Sequence, residues 1–181
     1  AQEAALEMAM AGAAAARGPR LEDLNRKALD GELVHLVLSS AAPRLPPGAA
    51  PARLVLPLGT TQLGSGPRCG AQLPADAADH VQAVLHAERK IDNDQLVVTI
   101  RDNYSSRGTF ILNARGMTPV PGMKSSGYTL RQYDKVVISR SVMAPNLYEL
   151  IYDVQFPAKR PVVLDKTYTR NNNHNTTKND W

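Results

Sequence analysis

Two hydrophobic periods divide this chain, and the change between them falls near residue 31. From Gln2 to Arg17 the residues are mostly Ala, Glu, Leu and Met, which favour helix, and Gly18-Pro19 then stops the pattern. The helix predicted there offers only Leu6, Met8 and Met10 as large apolar groups, so its order is expected to depend on a packed neighbour. A second, shorter helix is predicted over Leu21 to Leu29, where Leu21, Leu24, Ala28 and Leu29 recur at helical spacing before Gly31. From Glu32 the apolar positions alternate or run continuously, which predicts strands at 33–38, 53–58, 81–86, 95–100, 108–112, 135–139 and 147–154. Polar turns such as Asp92-Asn93-Asp94 and Pro121-Gly122 separate them, and many short strands at this spacing indicate an all-β sandwich. The pattern ends after Phe156-Pro157, and Thr167 to Asp180 is too polar to offset the entropy of its own ordering. The expected organisation is a helical extension over 1–31, a mainly β sandwich over 32–156 and a basic polar tail over 157–181, with both extensions ordered by a partner.

Composition narrows the class. With 181 residues and 43% hydrophobic content, one core plus extensions is expected. Cys69 is the single cysteine, so no intramolecular disulfide can form, and a buried spectator thiol is its ordinary role. No apolar run approaches the roughly 20 residues that span a bilayer. Because the chain opens at Ala1, removal of an N-terminal piece is expected, although Glu3 and Glu7 are unlike a retained transit peptide. The net charge of +4 is concentrated at the C-terminal end, where Lys159, Arg160, Lys166, Arg170 and Lys178 face only Asp165 and Asp180. Those five are the candidate contacts to an acidic partner or an RNA backbone, against the commoner role of a solvated tail.

Catalytic and metal chemistry find no support in the sequence. His35, His80, His86 and His174 have no metal-ligand spacing with Cys69, so neither metal nor cofactor is expected. The Gly64-Ser65-Gly66 stretch lacks the Lys-Ser/Thr of a phosphate loop, and no paired acid and base stands out. The aromatic residues lack the basic interleaving of an RNA-reading sheet.

Four stretches fall in order on the predicted sandwich: Leu63-Gly64-Ser65-Gly66-Pro67-Arg68-Cys69, Asp79-His80-Val81-Gln82-Ala83-Val84-Leu85, Ser105-Ser106-Arg107-Gly108-Thr109-Phe110 and Tyr133-Asp134-Lys135-Val136-Val137-Ile138. Together they resemble the forkhead-associated domain, over roughly Leu33 to Val154. The resemblance implies a sandwich whose loops at one end bind a phosphothreonine peptide, with Arg and Ser holding the phosphate and Asn fixing the peptide backbone.

Each implied contact has changed. Ser65 stands where the resemblance places the phosphate-binding Arg, Asp79 where it places the phosphate-binding Ser, and Arg107 where it places the Asn; the structural His falls on Gln82. Ser106, Gly108 and Thr109 remain. A carboxylate at position 79 repels a phosphate, whereas Arg68 and Arg107 lie on loops where they could compensate. The leading expectation is a non-catalytic structural or protein-interaction subunit of a large assembly, such as an organellar ribonucleoprotein, inside the cell with the mitochondrion favoured. The competing expectation is a phosphothreonine-peptide reader with a variant pocket of Ser65, Arg68, Asp79, Ser106 and Arg107.

Overall fold

A computed structural model describes residues 31–158, so both expected helices and the basic tail lie outside the described residues. Within that range eleven strands form two sheets: β1 Val34–Ala41, β2 Arg53–Leu56, β3 Gly59–Gly64, β4 Ala71–Gln72, β5 Ala83–Arg89, β6 Leu96–Asp102, β7 Thr109–Asn113, β8 Gly116–Pro119, β9 Tyr128–Thr129, β10 Lys135–Ser139 and β11 Tyr148–Gln155. One sheet runs β2-β1-β11-β10-β7-β8 and the other β4-β3-β5-β6-β9. Every pairing is antiparallel except β3 with β4.

The alternation of apolar residues explains which faces meet. In the first sheet Leu54 pairs Leu36, which pairs Val154, while Ile111 pairs Val136, which pairs Tyr152. Since residues paired across neighbouring strands share a face, these rows present one apolar surface. Leu63, Leu85, Val98 and Ile100 supply the facing layer from the second sheet, and the two sets join in a single buried cluster. Burying each large aliphatic side chain contributes about 1.5–3 kcal/mol, enough for this layer to dominate the stability. On β10, Val136, Val137, Ile138 and Ser139 are all buried, as expected where a strand is covered on both faces.

Seven predicted strands correspond to β1, β2, β5, β6, β7, β10 and β11, with shifted ends. β2 stops at Leu56 because Pro57 has no amide hydrogen to donate. β5 starts at Ala83 rather than 81 because Val81 and Gln82 close the preceding turn, whose Gln82 amide donates to Leu63 O. The Asp92-Asn93-Asp94 turn joins β5 to β6, with Asp94 in the left-handed region at φ 55°. Strands β3, β4, β8 and β9 had no prediction.

Tyr152 fixes the β1–β2 loop to this core: it is fully buried, and its hydroxyl donates to Pro51 O at 2.9 Å. Burial pushes its phenol well above the usual tyrosine range. The folded form therefore holds the proton more tightly than the unfolded chain, and this contribution is intact below pH ~10 and lost as pH rises beyond it. Urea midpoints measured between pH 8 and 11 are expected to fall at the alkaline end in the wild type. Tyr152→Phe is expected to lose about 1 kcal/mol with the hydrogen bond and to show a shallower alkaline fall; equal slopes would refute the assignment.

Candidate functional site

Three turns at one end of the sandwich are joined by main-chain bonds. Ser65 N donates to Asp79 O and Gly66 N to His80 O, both at 2.9 Å, tying the turn after β3 to the turn before β5. Asn103 N donates to Gln82 O at 3.1 Å, which brings in the β6–β7 loop. Gly64 permits the first approach, because a Cβ there would stand 2.4 Å from His80 O.

The β6–β7 loop is held from within. Asp102 accepts from Ser105 N at 2.9 Å, Ser105 Oγ at 2.6 Å and Thr109 Oγ1 at 2.8 Å, while Gly108 N donates to Ser105 Oγ at 3.0 Å. Two residues take left-handed angles to close it, Tyr104 at φ 51° and Gly108 at φ 83°. Gln82, fully buried, is the cross-brace: Nε2 donates to Thr109 Oγ1 at 2.9 Å and Gly108 O at 3.3 Å, and Oε1 accepts from Asp79 N at 3.1 Å. The amide uses both its donor and its acceptor ends, which keeps a buried polar side chain satisfied.

Asp79 then reaches across to the loop. Its carboxylate accepts from Ser106 N at 2.6 Å and from Ser106 Oγ at 2.8 and 3.0 Å, and Arg107 Nε lies 3.5 Å away. A backbone amide, a hydroxyl and a guanidinium form a donor set suited to an anion, and here the protein supplies that anion itself. Ser65 touches this arrangement only through its main chain. Arg68 is exposed and makes no hydrogen bond or ion pair with another described residue, so the structure does not bring it to Asp79. Of the five residues considered for phosphopeptide binding, the structure gathers the side chains of Asp79, Ser106 and Arg107. Lys159, Arg160, Lys166, Arg170 and Lys178 lie outside the described residues.

Sequence reasoning did not single out the residue at the back of the site. Glu149, near the start of β11, is 1% exposed, and its Oε1 meets Arg44, Arg107 Nη1 at 3.7 Å and Arg140 Nε at 3.6 Å. Arg44 donates from both Nε and Nη2 to that oxygen and also to Asp76 O, and the bond to Glu149 raises its pKa. Glu149 Oε2 is buried and accepts no hydrogen bond from the described residues. The one hint in the sequence is a Glu inside the apolar run Leu147-Tyr148-Glu149-Leu150-Ile151, since a charge in such a run needs partners. Cys69 is buried, with Sγ donating to His80 O at 3.2 Å.

No known protein family matches this chain, and neither does any curated protein. Among solved structures it is similar to the MEK1 FHA domain, with a TM-score of 0.49 and 13% identity over 75% of this chain and 98% of that one. The yeast Dun1 FHA domain, solved with a doubly phosphorylated peptide derived from Rad53 SCD1, gives a TM-score of 0.46 and 18% identity, covering 72% of this chain and 80% of that one. Full-length yeast Pml1p gives 0.45 and 21%, covering 68% and 82%. The likeness is one of overall chain outline.

Proposed function

We propose that this chain is a non-catalytic, forkhead-associated-like protein-interaction module whose anion pocket is filled by its own Asp79, and that it engages a partner protein without needing phosphothreonine. The observation that carries this reading is the Asp79 carboxylate on Ser106 N, Ser106 Oγ and Arg107 Nε. A phosphate entering the same donors would meet that carboxylate. Two unit charges 4 Å apart repel by about 4 kcal/mol at an effective dielectric of ~20, which is roughly a thousandfold in affinity. Exposure of the site to solvent reduces this figure, and the dianionic charge of phosphate increases it.

A second reading, a phosphothreonine reader with a variant pocket, is favoured by the presence of that donor set and by Arg68, which is exposed and has no hydrogen bond or ion pair among the described residues. Titration of the full chain with a phosphothreonine peptide library and its unphosphorylated counterparts separates the two. The expected result is no preference for phosphate in the wild type and a gain of at least about tenfold in phosphopeptide affinity for Asp79→Ser, which removes the internal anion. Micromolar, phosphate-dependent binding by the wild type that Arg107→Ala abolishes would establish the second reading instead.

Membership of a larger assembly belongs to the same proposal, with an organellar ribonucleoprotein as its specific form. The basic residues from Lys159 to Lys178 support it, as does the composition of both extensions. A tagged full-length chain is expected to sediment with a large particle in cell extracts and to shift on nuclease treatment if RNA is the contact. Sedimentation as a free monomer would exclude the assembly.

A further inference from the structure

Beside the Asp79 turn, the loop from Arg140 to Leu147 between β10 and β11 is closely braced yet exposes three large apolar side chains. Buried Ser139 provides the brace: Ser141 N donates to its Oγ at 3.2 Å, and that oxygen lies 2.8 Å from Ser141 O and 3.0 Å from Ala144 O. Arg140 N donates to Leu147 O at 2.7 Å, and Leu147 N to Ala144 O at 3.0 Å, closing the loop's neck. Despite this fixed shape, Val142 is 53% exposed, Met143 89% and Leu147 54%. Three large apolar groups held out together by one braced loop form an apolar patch of the kind that partners cover.

The same surface carries three arginines, one of which is weakly engaged. Arg44, Arg107 and Arg140 converge on one carboxylate oxygen of Glu149, and Arg107 also faces Asp79. With Asp76 beside Arg44, three guanidiniums share three carboxylates, and Arg140 is the least engaged of them, 3.6 Å from Glu149. The Arg140 side chain makes no hydrogen bond to another described residue, and it is 41% exposed. The apolar loop and the arginines are contiguous, since a Cβ on Gly108, next to Arg107, would lie 3.0 Å from Val142 Cγ1.

We propose that this end of the sandwich docks an acidic segment of a partner protein. Aspartate or glutamate side chains pair with the arginines, above all Arg140, and a large apolar side chain covers Val142, Met143 and Leu147. Charge complementarity selects this occupant: a purely apolar segment would cover the Arg140 guanidinium without giving it a hydrogen bond, whereas a carboxylate accepts two parallel bonds from its fork. The proposal rests on the reading of the chain as a protein-interaction module and names the chemistry of its partner.

The test uses the full chain and a library of synthetic twelve-residue peptides combining Glu or Asp with Leu or Phe. Matched libraries carry Gln and Asn for the acids, or Ala for the apolar residues. Fluorescence anisotropy is expected to show acidic-apolar binders that weaken with added salt and lose about tenfold or more in either matched form. Met143→Ser, at an exposed position, is expected to lose at least about fivefold with an unchanged unfolding midpoint, and Arg140→Gln at least about fivefold under conditions where its unfolding curve shows it fully folded. No binding, equal binding of the neutral library, or indifference to both substitutions would overturn the proposal. Concentration-dependent dimerisation abolished by Met143→Ser would also overturn it, assigning the patch to a second copy of the chain. Phosphate-dependent binding that needs Arg107 but ignores Arg140 and Met143 would sink both this proposal and the phosphate-independent reading; loss of the acidic-peptide response alone would leave the latter standing.

Discussion

Gly64→Ala is expected to be among the most damaging single-methyl additions in the described sandwich. Its new Cβ would stand 2.4 Å from His80 O, 2.9 Å from Asp79 O and 3.0 Å from Gln82 N. All three atoms belong to backbone, so no rotamer change relieves the clash; the turn itself must move. That turn is held by Ser65 N on Asp79 O, Gly66 N on His80 O and Gln82 N on Leu63 O, and moving it strains or breaks these bonds together. Overpacking in a fixed interior costs about 1–3 kcal/mol or more, with each lost buried hydrogen bond adding about 1 kcal/mol. A loss of roughly 3–5 kcal/mol is therefore expected from urea unfolding. Gly48→Ala is the matched control: nothing lies within 4 Å of its Cβ, and only the strain of φ 77° applies, about 1–2 kcal/mol. An unfolding midpoint for Gly64→Ala at or above that of Gly48→Ala would show that the turn is loosely held.

The second large effect is expected at Gln82. Leu in its place keeps an apolar volume but removes the acceptor for Asp79 N and the donor to Thr109 Oγ1 and Gly108 O. Thr109 retains its bond to Asp102 and Gly108 O its bond from Ser139 N, so the Asp79 amide bears the main loss. At about 1–3 kcal/mol for one polar group left unsatisfied, Gln82→Leu is expected to destabilise the fold by roughly that amount. It is also expected to loosen Asp79 from Ser106, because Gln82 links the turn that carries the one to the loop that carries the other. A double-mutant cycle with Thr109→Val measures the link, and a coupling energy of about 0.5 kcal/mol or more is expected for contacting residues. Additive losses would show that Gln82 acts only through its volume.

These two positions also show how differently fold and site are written in the chain. Strands such as Leu33 to Leu38 and Lys135 to Ser139 were legible because their apolar residues follow the strand period or fill a strand buried on both faces. β3 was not, because Gly59-Thr60-Thr61-Gln62-Leu63-Gly64 has one large apolar residue and a glycine at each end. It forms a strand because β5 pairs with it from Gly59↔Ala87 to Leu63↔Ala83. β8 and β9 lie at sheet edges, where neighbours supply the pairing that their own sequences do not announce.

The sequence by itself determined the alternating apolar rows, the polar turns between them and the side chains, Ser65, Asp79 and Arg107 among them, that those turns carry. Each of these depends on a residue's own chemistry or on neighbours a few positions away. Only the tertiary structure decided that Asp79 lies on Ser106, 27 positions later, while Arg68 stays in solvent. It also decided that Arg44 and Glu149, 105 positions apart, share one charge cluster with Arg107 and Arg140. Attraction between charges acts over a few ångströms of space, and chain separation says nothing about that distance until the sheets close the loops together.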